Sequence, residues 1–227
     1  MQIIVYLFLF LPSILRAEMS AVRDPQKESE FYEEKFLGPK RFERSTGGSA
    51  HGRSQVSPEE SLPLSQHWSP GTLQARFEMM RDFPIVDGKW TPSWRYPEDG
   101  CYARASMANK TAFHQFFPLP GKVFAFGNLT VQTSFSPRGS VSWWYHVAPV
   151  VEVDGEKYVL DPAIEFTRPL SLKEWLGRMG DPSRIKVSFC GSGTYVPSDS
   201  CDKETDGLEL GALRSQRSYL KLEAPRR

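Results

Sequence analysis

One stretch, "GSVSWWYHVAPVVEVDGEKYVLDPA", constrains the fold more than any other, because apolar residues alternate on both sides of an Asp-Gly pair. An Asp-Gly pair between alternating runs predicts a two-residue hairpin turn. If Val153 pairs with Glu156, Ala148 lies opposite Asp161, and a slip of one residue would reverse every face. His146 is then a diagonal neighbour of Asp161 on the adjacent strand. The backbone positions of such neighbours are about 7–8 Å apart, which lets the two side chains form a hydrogen bond. The sequence therefore predicts a His–Asp couple on adjacent antiparallel strands.

A helix is predicted before this sheet. In "PEDGCYARASMANK", Cys101 follows an Asp-Gly turn, and a helical pattern runs from it to about Phe117 before the signal changes to period two. The order of elements favours an α+β fold in which a helix packs on an antiparallel sheet. The small residues of the helix that form one stripe facing the sheet are Cys101, Ala105, Ala108 and Ala112.

Two further helices carry start signals. Ser69 can cap a helix with Pro70 in its first turn, and Ser171 with Glu174 forms the capping-box pattern of "SLKEWLGRM". The residues expected to bury one face of the first of these helices are Leu73, Phe77 and Met80.

The chain divides by composition into four parts. Residues 1–17 resemble a signal peptide, with a buried strand or an uncleaved anchor as alternatives. Residues 18–67 are polar and are expected to be a flexible linker or pro-segment. We expect the folded domain at 68–201 and a charged tail at 202–227. The predicted location is therefore secreted or periplasmic, without stable membrane insertion once the signal is removed.

Charge and composition exclude some functions. A formal net charge of +1, with no long basic run, argues against nucleic-acid binding. The spacing of the four histidines does not suggest a zinc site, so no metal is expected.

Three cysteines remain to be assigned. Cys190 and Cys201 flank a short Gly/Ser-rich loop and are compatible with a local disulfide in an oxidising compartment. That pairing would leave Cys101 as an odd thiol, either reactive or used in intermolecular pairing.

A helix N-terminus favours a thiolate at Cys101 and offers backbone N–H groups to an oxyanion. Together with His146 as base and Asp161 as orienting group, Cys101 forms a candidate nucleophile–base–orienter set. Each member taken alone is a weak indication, because a lone histidine on a strand is more often a core residue, and it is their joint placement that favours catalysis. The order Cys, His, Asp is that of papain-like and transglutaminase-like cores.

The strings "DGCYARA", "SWWYHVAPVVEV" and "YVLDPA" resemble the protein-glutaminase family of secreted bacterial deamidases. The resemblance runs from about Trp94 to about Trp175. It implies a transglutaminase-like (papain-like) fold, a catalytic domain at 68–201, and hydrolysis of glutamine side chains in proteins or peptides through a thioester. It assigns the nucleophile to Cys101, the base to His146 and the third role to Asp161, with no cofactor.

Several expectations accompany this resemblance. Trp143, Trp144 and Tyr102 are candidates for substrate contact, with core packing as the alternative role. We expect a monomer acting on exposed glutamines of protein or peptide substrates, and inhibition by residues 18–67 is a further hypothesis. A transglutaminase, a cysteine peptidase or a catalytically silent interaction domain would share the same fold and residues.

Overall fold

The computed structural model describes residues 68–195 and 206–223, with the backbone alone for 206–209. Its helices are α1 (Pro70–Asp82), α2 (Cys101–His114), α3 (Leu172–Met179) and α4 (Asp206–Leu220), with a 3-10 turn at Pro182–Arg184. Its strands are β1 (Gly121–Gln132), β2 (Ser140–Val153), β3 (Glu156–Val159), β4 (Leu170–Ser171) and β5 (Lys186–Cys190). The strands form one antiparallel sheet in the order β4-β3-β2-β1-β5. The structure therefore has the mixed helix and antiparallel-sheet composition that the sequence predicts.

The β2–β3 hairpin has the predicted register. Val153 pairs with Glu156, and the pairing continues to Val150 opposite Val159. The turn residues have positive φ values of 53° for Asp154 and 81° for Gly155, as a type I′ turn requires. Beyond the end of β3, the Leu160 N–H donates to the Pro149 carbonyl at 2.9 Å. The register therefore extends past the strand and carries the chain toward Asp161.

The two faces of the sheet are covered by different helices. In β1, Val123 and Ala125 belong to the core that contains Trp175 of α3. Phe124 between them packs in a separate cluster with Cys101 of α2. This alternation follows from the two-residue period of a strand. The central strands β1 and β2 are therefore buried on both sides.

The predicted helix starts are present. Ser69 is extended and precedes α1, which buries Leu73, Phe77 and Met80 as expected. The Ser171 hydroxyl accepts a hydrogen bond from the Glu174 N–H, and the Glu174 carboxylate accepts one from the Ser171 N–H. The helix α3 therefore has its predicted capping box. α2 ends at His114, three residues earlier than Phe117, the end that the helical pattern predicts.

The structure differs from the sequence prediction at the C-terminus. Residues 202–227 were expected to form a charged tail, but α4 occupies Asp206–Leu220 and contacts α2. Ala212 and Gln216 are buried and Tyr219 is half-buried, a spacing of four and then three residues that places all three on one helix face. The charged residues around them lower the mean hydropathy of the segment and conceal this face.

Several predictions lie outside the described residues. The signal peptide at 1–17, the linker or pro-segment at 18–67 and Cys201 are among them. Among the helices that the structure describes, none is both long and apolar enough to span a membrane.

Candidate active site

The candidate nucleophile begins a helix. Cys101 is the first residue of α2, and Gly100 before it adopts the left-handed conformation with φ of 81°. N–H groups in the first turn of a helix have no acceptor within the helix and carry the positive end of its dipole. Cys101 is a free cysteine with 6% of its surface exposed. The thiol therefore lies in a nearly enclosed position beside backbone N–H groups that have no acceptor within the helix.

The loop before Cys101 is held by buried hydrogen bonds. The Asp99 carboxylate accepts the Gly100 N–H at 2.6 Å. The Arg104 guanidinium, which is 2% exposed, donates from Nη1 to the carbonyls of Tyr96 (2.8 Å) and Asp99 (2.6 Å). Arg104 therefore binds the backbone of the loop rather than a carboxylate partner, and it fixes the path by which the chain enters α2.

The C-terminal helix also contacts this loop. The Tyr219 hydroxyl donates to Asp99 Oδ2 at 2.9 Å, and the Tyr219 ring stacks on Tyr96 with centroids 5.1 Å apart. A Cβ atom added to Gly100 would overlap the ring of Tyr219. Sequence reasoning missed Tyr219, although its spacing from Ala212 and Gln216 could have indicated a buried helix face.

The structure brings His146 and Asp161 into direct contact. Their Nε2 and Oδ2 atoms are 2.7 Å apart, and both residues are buried. The other carboxylate oxygen of Asp161 accepts the Ala163 N–H at 3.2 Å. Because Asp161 occupies Nε2, Nδ1 is the ring nitrogen left for a thiol, and it has no hydrogen-bond partner among the described residues. The hairpin register thus predicted this bond correctly.

The electrostatics of this pair favour a charged histidine. Burial lowers the pKa of His146, but the charge and hydrogen bond of Asp161, with a further contribution from Cys101, raise it to about 9. Burial likewise opposes ionisation of Asp161, yet His146, Trp175 and Arg104 together lower the pKa of that carboxyl. An imidazolium that persists at neutral pH is the partner that stabilises a nearby thiolate. Cys101 contributes to the raised pKa of His146 and is the thiol that the sequence predicts for this role.

Two tryptophans enclose the His–Asp pair. Trp143 stacks on the His146 ring with centroids 4.4 Å apart and an interplanar angle of 14°, and its Nε1 donates to the Pro97 carbonyl at 3.0 Å. Trp175 donates from Nε1 to Asp161 Oδ2 at 2.9 Å. Sequence reasoning missed Trp175, since nothing in "SLKEWLGRM" indicates which side of the sheet its indole meets.

Tyr145 is a further neighbour of the thiol that sequence reasoning missed. It is half-buried and packs against the cluster that contains Cys101. Burial, followed by the charges of Cys101 and Asp99, raises the pKa of Tyr145 well above its usual value. Tyr145 therefore stays a neutral phenol, which can donate a hydrogen bond beside the sulfur.

The candidate substrate-contacting residues lie at different depths. Trp143 is buried against His146. Trp144 is half-buried, with its ring centroid 4.6 Å from that of Tyr145. The Tyr102 hydroxyl lies 3.3 Å from Ser215 Oγ. Contact of these three residues with a substrate stays a prediction.

The remaining site predictions concern disulfide and metal. Cys190 is buried at the end of β5, while its predicted partner Cys201 lies outside the described residues, so their disulfide stays a prediction. Within 68–195 and 206–223, no group of three or more His, Cys, Asp or Glu residues is arranged to hold a metal ion.

Comparison with solved structures shows the same fold in protein-glutaminases. A crystal structure of protein-glutaminase matches with a TM-score of 0.56 and 23% identity, over 69% of this chain and 89% of that one. The NMR structure of protein-glutaminase from Chryseobacterium proteolyticum matches with a TM-score of 0.56 and 23% identity, over 68% of this chain and 88% of that one. A crystal structure of pro-protein-glutaminase matches with a TM-score of 0.59 and 22% identity, over 81% of this chain and 67% of that one.

Comparison by sequence identifies the same group. No protein of curated function matches this chain. The family model described as "Glutaminase" matches residues 73–179, a range that contains Cys101, His146, Asp161 and Trp175. The predicted resemblance to this family is therefore confirmed over residues 73–179, just under half of the chain.

Proposed function

We propose that this chain is a cysteine amidohydrolase that converts glutamine side chains of proteins or peptides to glutamate and releases ammonia. The proposal assigns nucleophile, base and orienting group to Cys101, His146 and Asp161 within a transglutaminase-like core. The observation that carries it is the 2.7 Å bond between His146 Nε2 and Asp161 Oδ2, which leaves the second ring nitrogen for Cys101. The protein substrate follows from the protein-glutaminases that share the fold.

The first half of the reaction forms a thioester. At neutral pH the thiol proton already rests on His146 Nδ1, because the imidazolium is the favoured form, and the thiolate of Cys101 attacks the amide carbon of the glutamine side chain. The resulting oxyanion is stabilised by the backbone N–H groups at the start of α2. The tetrahedral intermediate collapses as the C–N bond breaks, and the leaving nitrogen takes the proton from His146 and departs as ammonia.

The second half of the reaction uses water. His146, now neutral, removes a proton from a water molecule, whose oxygen attacks the thioester carbon. The C–S bond breaks, the thiolate is regenerated beside the imidazolium, and the product is glutamate. Asp161 keeps the imidazole oriented throughout, in the manner of the third member of a triad.

Ammonia release from a glutamine-rich protein such as casein tests the proposal. The unaltered chain should release ammonia and add about one mass unit per site, the difference between an amide and an acid, without cleaving the substrate. Cys101→Ala and His146→Gln should abolish the release. His114→Gln is the matched control, because His114 is exposed at the end of α2 and should leave the activity intact.

The same experiment separates the other thioester enzymes. Incorporation of an added primary amine at the expense of thioester hydrolysis, with ammonia still released, would indicate a transglutaminase, and chain cleavage would indicate a peptidase. Folded protein with no ammonia release, no amine incorporation and no cleavage on any glutamine substrate would favour a silent interaction domain.

Export belongs to the same proposal. The apolar run at 1–17 and the cysteine pair flanking a short loop support a secreted or periplasmic protein. Intact mass after expression with an export pathway should show loss of about the first 17 residues. Peptide mapping without reduction should show Cys190 linked to Cys201, and a free thiol at both positions would contradict the disulfide.

A further inference from the structure

Trp175 makes a hydrogen bond with the candidate triad. It lies on α3 with none of its surface exposed, and its Nε1–H donates to Asp161 Oδ2 at 2.9 Å. The same oxygen accepts His146 Nε2 at 2.7 Å. The indole ring also lies near the imidazole, with centroids 5.7 Å apart. One buried carboxylate oxygen therefore receives two donors from different elements of the fold.

These donors fix the orientation of the carboxylate. Oδ2 is bound by Trp175 and His146, and Oδ1 is bound by the Ala163 N–H at 3.2 Å. With both oxygens bound, the carboxyl group cannot rotate without breaking a buried hydrogen bond. The imidazole can then form its bond to Asp161 in one orientation, which directs Nδ1 away from the carboxylate.

Trp175 also shares the negative charge of Asp161. A hydrogen bond donated to a carboxylate stabilises the charged form, and here Trp175 contributes to the lowered pKa of Asp161. The ionisable groups that act on the pair are Cys101 and Arg104 of α2, in addition to the two partners themselves. Without the indole, the carboxylate would concentrate its charge on the imidazolium and hold that proton more tightly.

We propose that Trp175 is a positioning residue, which orients Asp161 and limits how strongly that carboxylate holds the His146 proton. This inference rests on the proposed function, because it assigns Trp175 a role in the same Cys–His–Asp reaction. Trp175 belongs to the core on the face of the sheet that α3 covers, whereas Cys101 packs on the other face, under α2.

Trp175→Phe tests the role, since phenylalanine keeps an apolar ring but removes the N–H donor. We expect kcat for ammonia release to fall about tenfold while KM stays within about twofold, because the substrate contacts are unchanged. We also expect the basic limb of the kcat/KM profile to move upward by about half to one pH unit. The rate of Cys101 alkylation by iodoacetamide should show the same displacement of its pH dependence.

The matched control is Trp68→Phe. Trp68 is also buried and also donates from Nε1, but to the backbone carbonyl of Pro118 at 3.1 Å. Its replacement removes a similar bond and a similar volume without touching Asp161. Alkylation needs no glutamine substrate, so the test of Trp175 remains valid even if the unaltered chain releases no ammonia. Identical pH profiles for Trp175→Phe and Trp68→Phe would overturn the proposal.

A second test of the role of Trp175 uses the unaltered chain, so it does not require that the Trp175→Phe variant folds. In proton–nitrogen NMR spectra, the indole N–H of Trp175 should shift as His146 titrates near pH 9, because both residues share one acceptor oxygen. The indoles of Trp68 and Trp94, which donate to the carbonyls of Pro118 and Arg81, should not follow this titration. A Trp175 signal that stays constant through the titration would contradict the shared acceptor and the proposal with it.

Discussion

The ring of Tyr219 lies directly against the backbone of Gly100, the residue that precedes the candidate nucleophile. The helix α4 thus packs on the turn from which α2 starts. The Tyr219 hydroxyl bonds to Asp99, whose carboxylate also holds the Gly100 N–H. The position of Cys101 therefore depends on a contact with a segment more than 100 residues later.

Gly100→Ala should inactivate the protein more than backbone strain alone predicts. Gly155 has the same φ of 81°, but nothing lies within 4 Å of an added Cβ there, whereas at Gly100 the Cβ would meet Tyr219. We expect Gly155→Ala to cost about 1–2 kcal/mol of stability and leave kcat unchanged. Gly100→Ala should cost more and lower kcat, and Tyr219→Ala should partly restore it. Equal effects of the two glycine substitutions, measured by urea denaturation and ammonia release, would refute this.

Asp161→Asn should lower the pKa of His146. Burial opposes the imidazolium, and the charge of Asp161 is the larger of the opposing influences that raise the pKa to about 9. Without that charge, we expect the pKa to fall toward or below the ordinary value of 6.5. Titration of the imidazole carbon-bound protons by NMR measures it directly. A pKa that stays near 9 in the variant would mean that Asp161 does not hold the proton.

The His146 imidazolium should stabilise the fold below about pH 9. Its pKa is raised from 6.5 to about 9, so its contribution is fully present below pH 6.5 and is lost as pH rises through 9. The destabilisation caused by His146→Gln should therefore shrink between pH 6 and pH 10, by roughly 3 kcal/mol at most. His114→Gln, at an exposed position, should show no such dependence in urea denaturation. A constant difference across this range would contradict the charged pair.

Arg104→Lys should not substitute for arginine. The guanidinium reaches the carbonyls of Tyr96 and Asp99 at once, and a lysine ammonium keeps the charge without the planar fork. We expect about 2–4 kcal/mol of lost stability, since two buried carbonyls lose their donor, together with a fall in kcat. Arg168→Lys provides the comparison, because Arg168 pairs with Glu174 at the surface and should cost less than about 1 kcal/mol. Similar losses for both variants would show that charge alone suffices at Arg104.

Removal of residues 1–67 should raise the activity if the segment before Trp68 is an inhibitory pro-segment. The described residues begin at Trp68, just before α1, so this truncation keeps the described core and the candidate triad. Ammonia release by the truncated protein should exceed that of the chain lacking only residues 1–17. Equal rates for the two forms would refute inhibition by residues 18–67.

Local patterns in the sequence determined the elements and one half of the site. The Asp154-Gly155 turn and the period-two strands set the register of the hairpin, and the register placed His146 beside Asp161. In a hairpin with a two-residue turn, one pair of opposite residues fixes all the pairs that follow it along the two strands. The capping box at Ser171 and Glu174 likewise depends on residues three positions apart. Such features can be predicted because they need few long-range contacts.

The tertiary structure decided which other side chains meet this pair. Cys101 lies 45 residues before His146, Trp175 reaches Asp161 from another layer, and Tyr219 reaches Gly100 from a segment whose charge suggested a tail. These contacts depend on how whole helices pack on the two faces of the sheet, and side-chain burial there is shared among many residues. A pattern with a period of two or 3.6 residues shows which face of an element is buried. It carries no information about the partner that buries it, because packing between distant segments is set by the shape of both surfaces together.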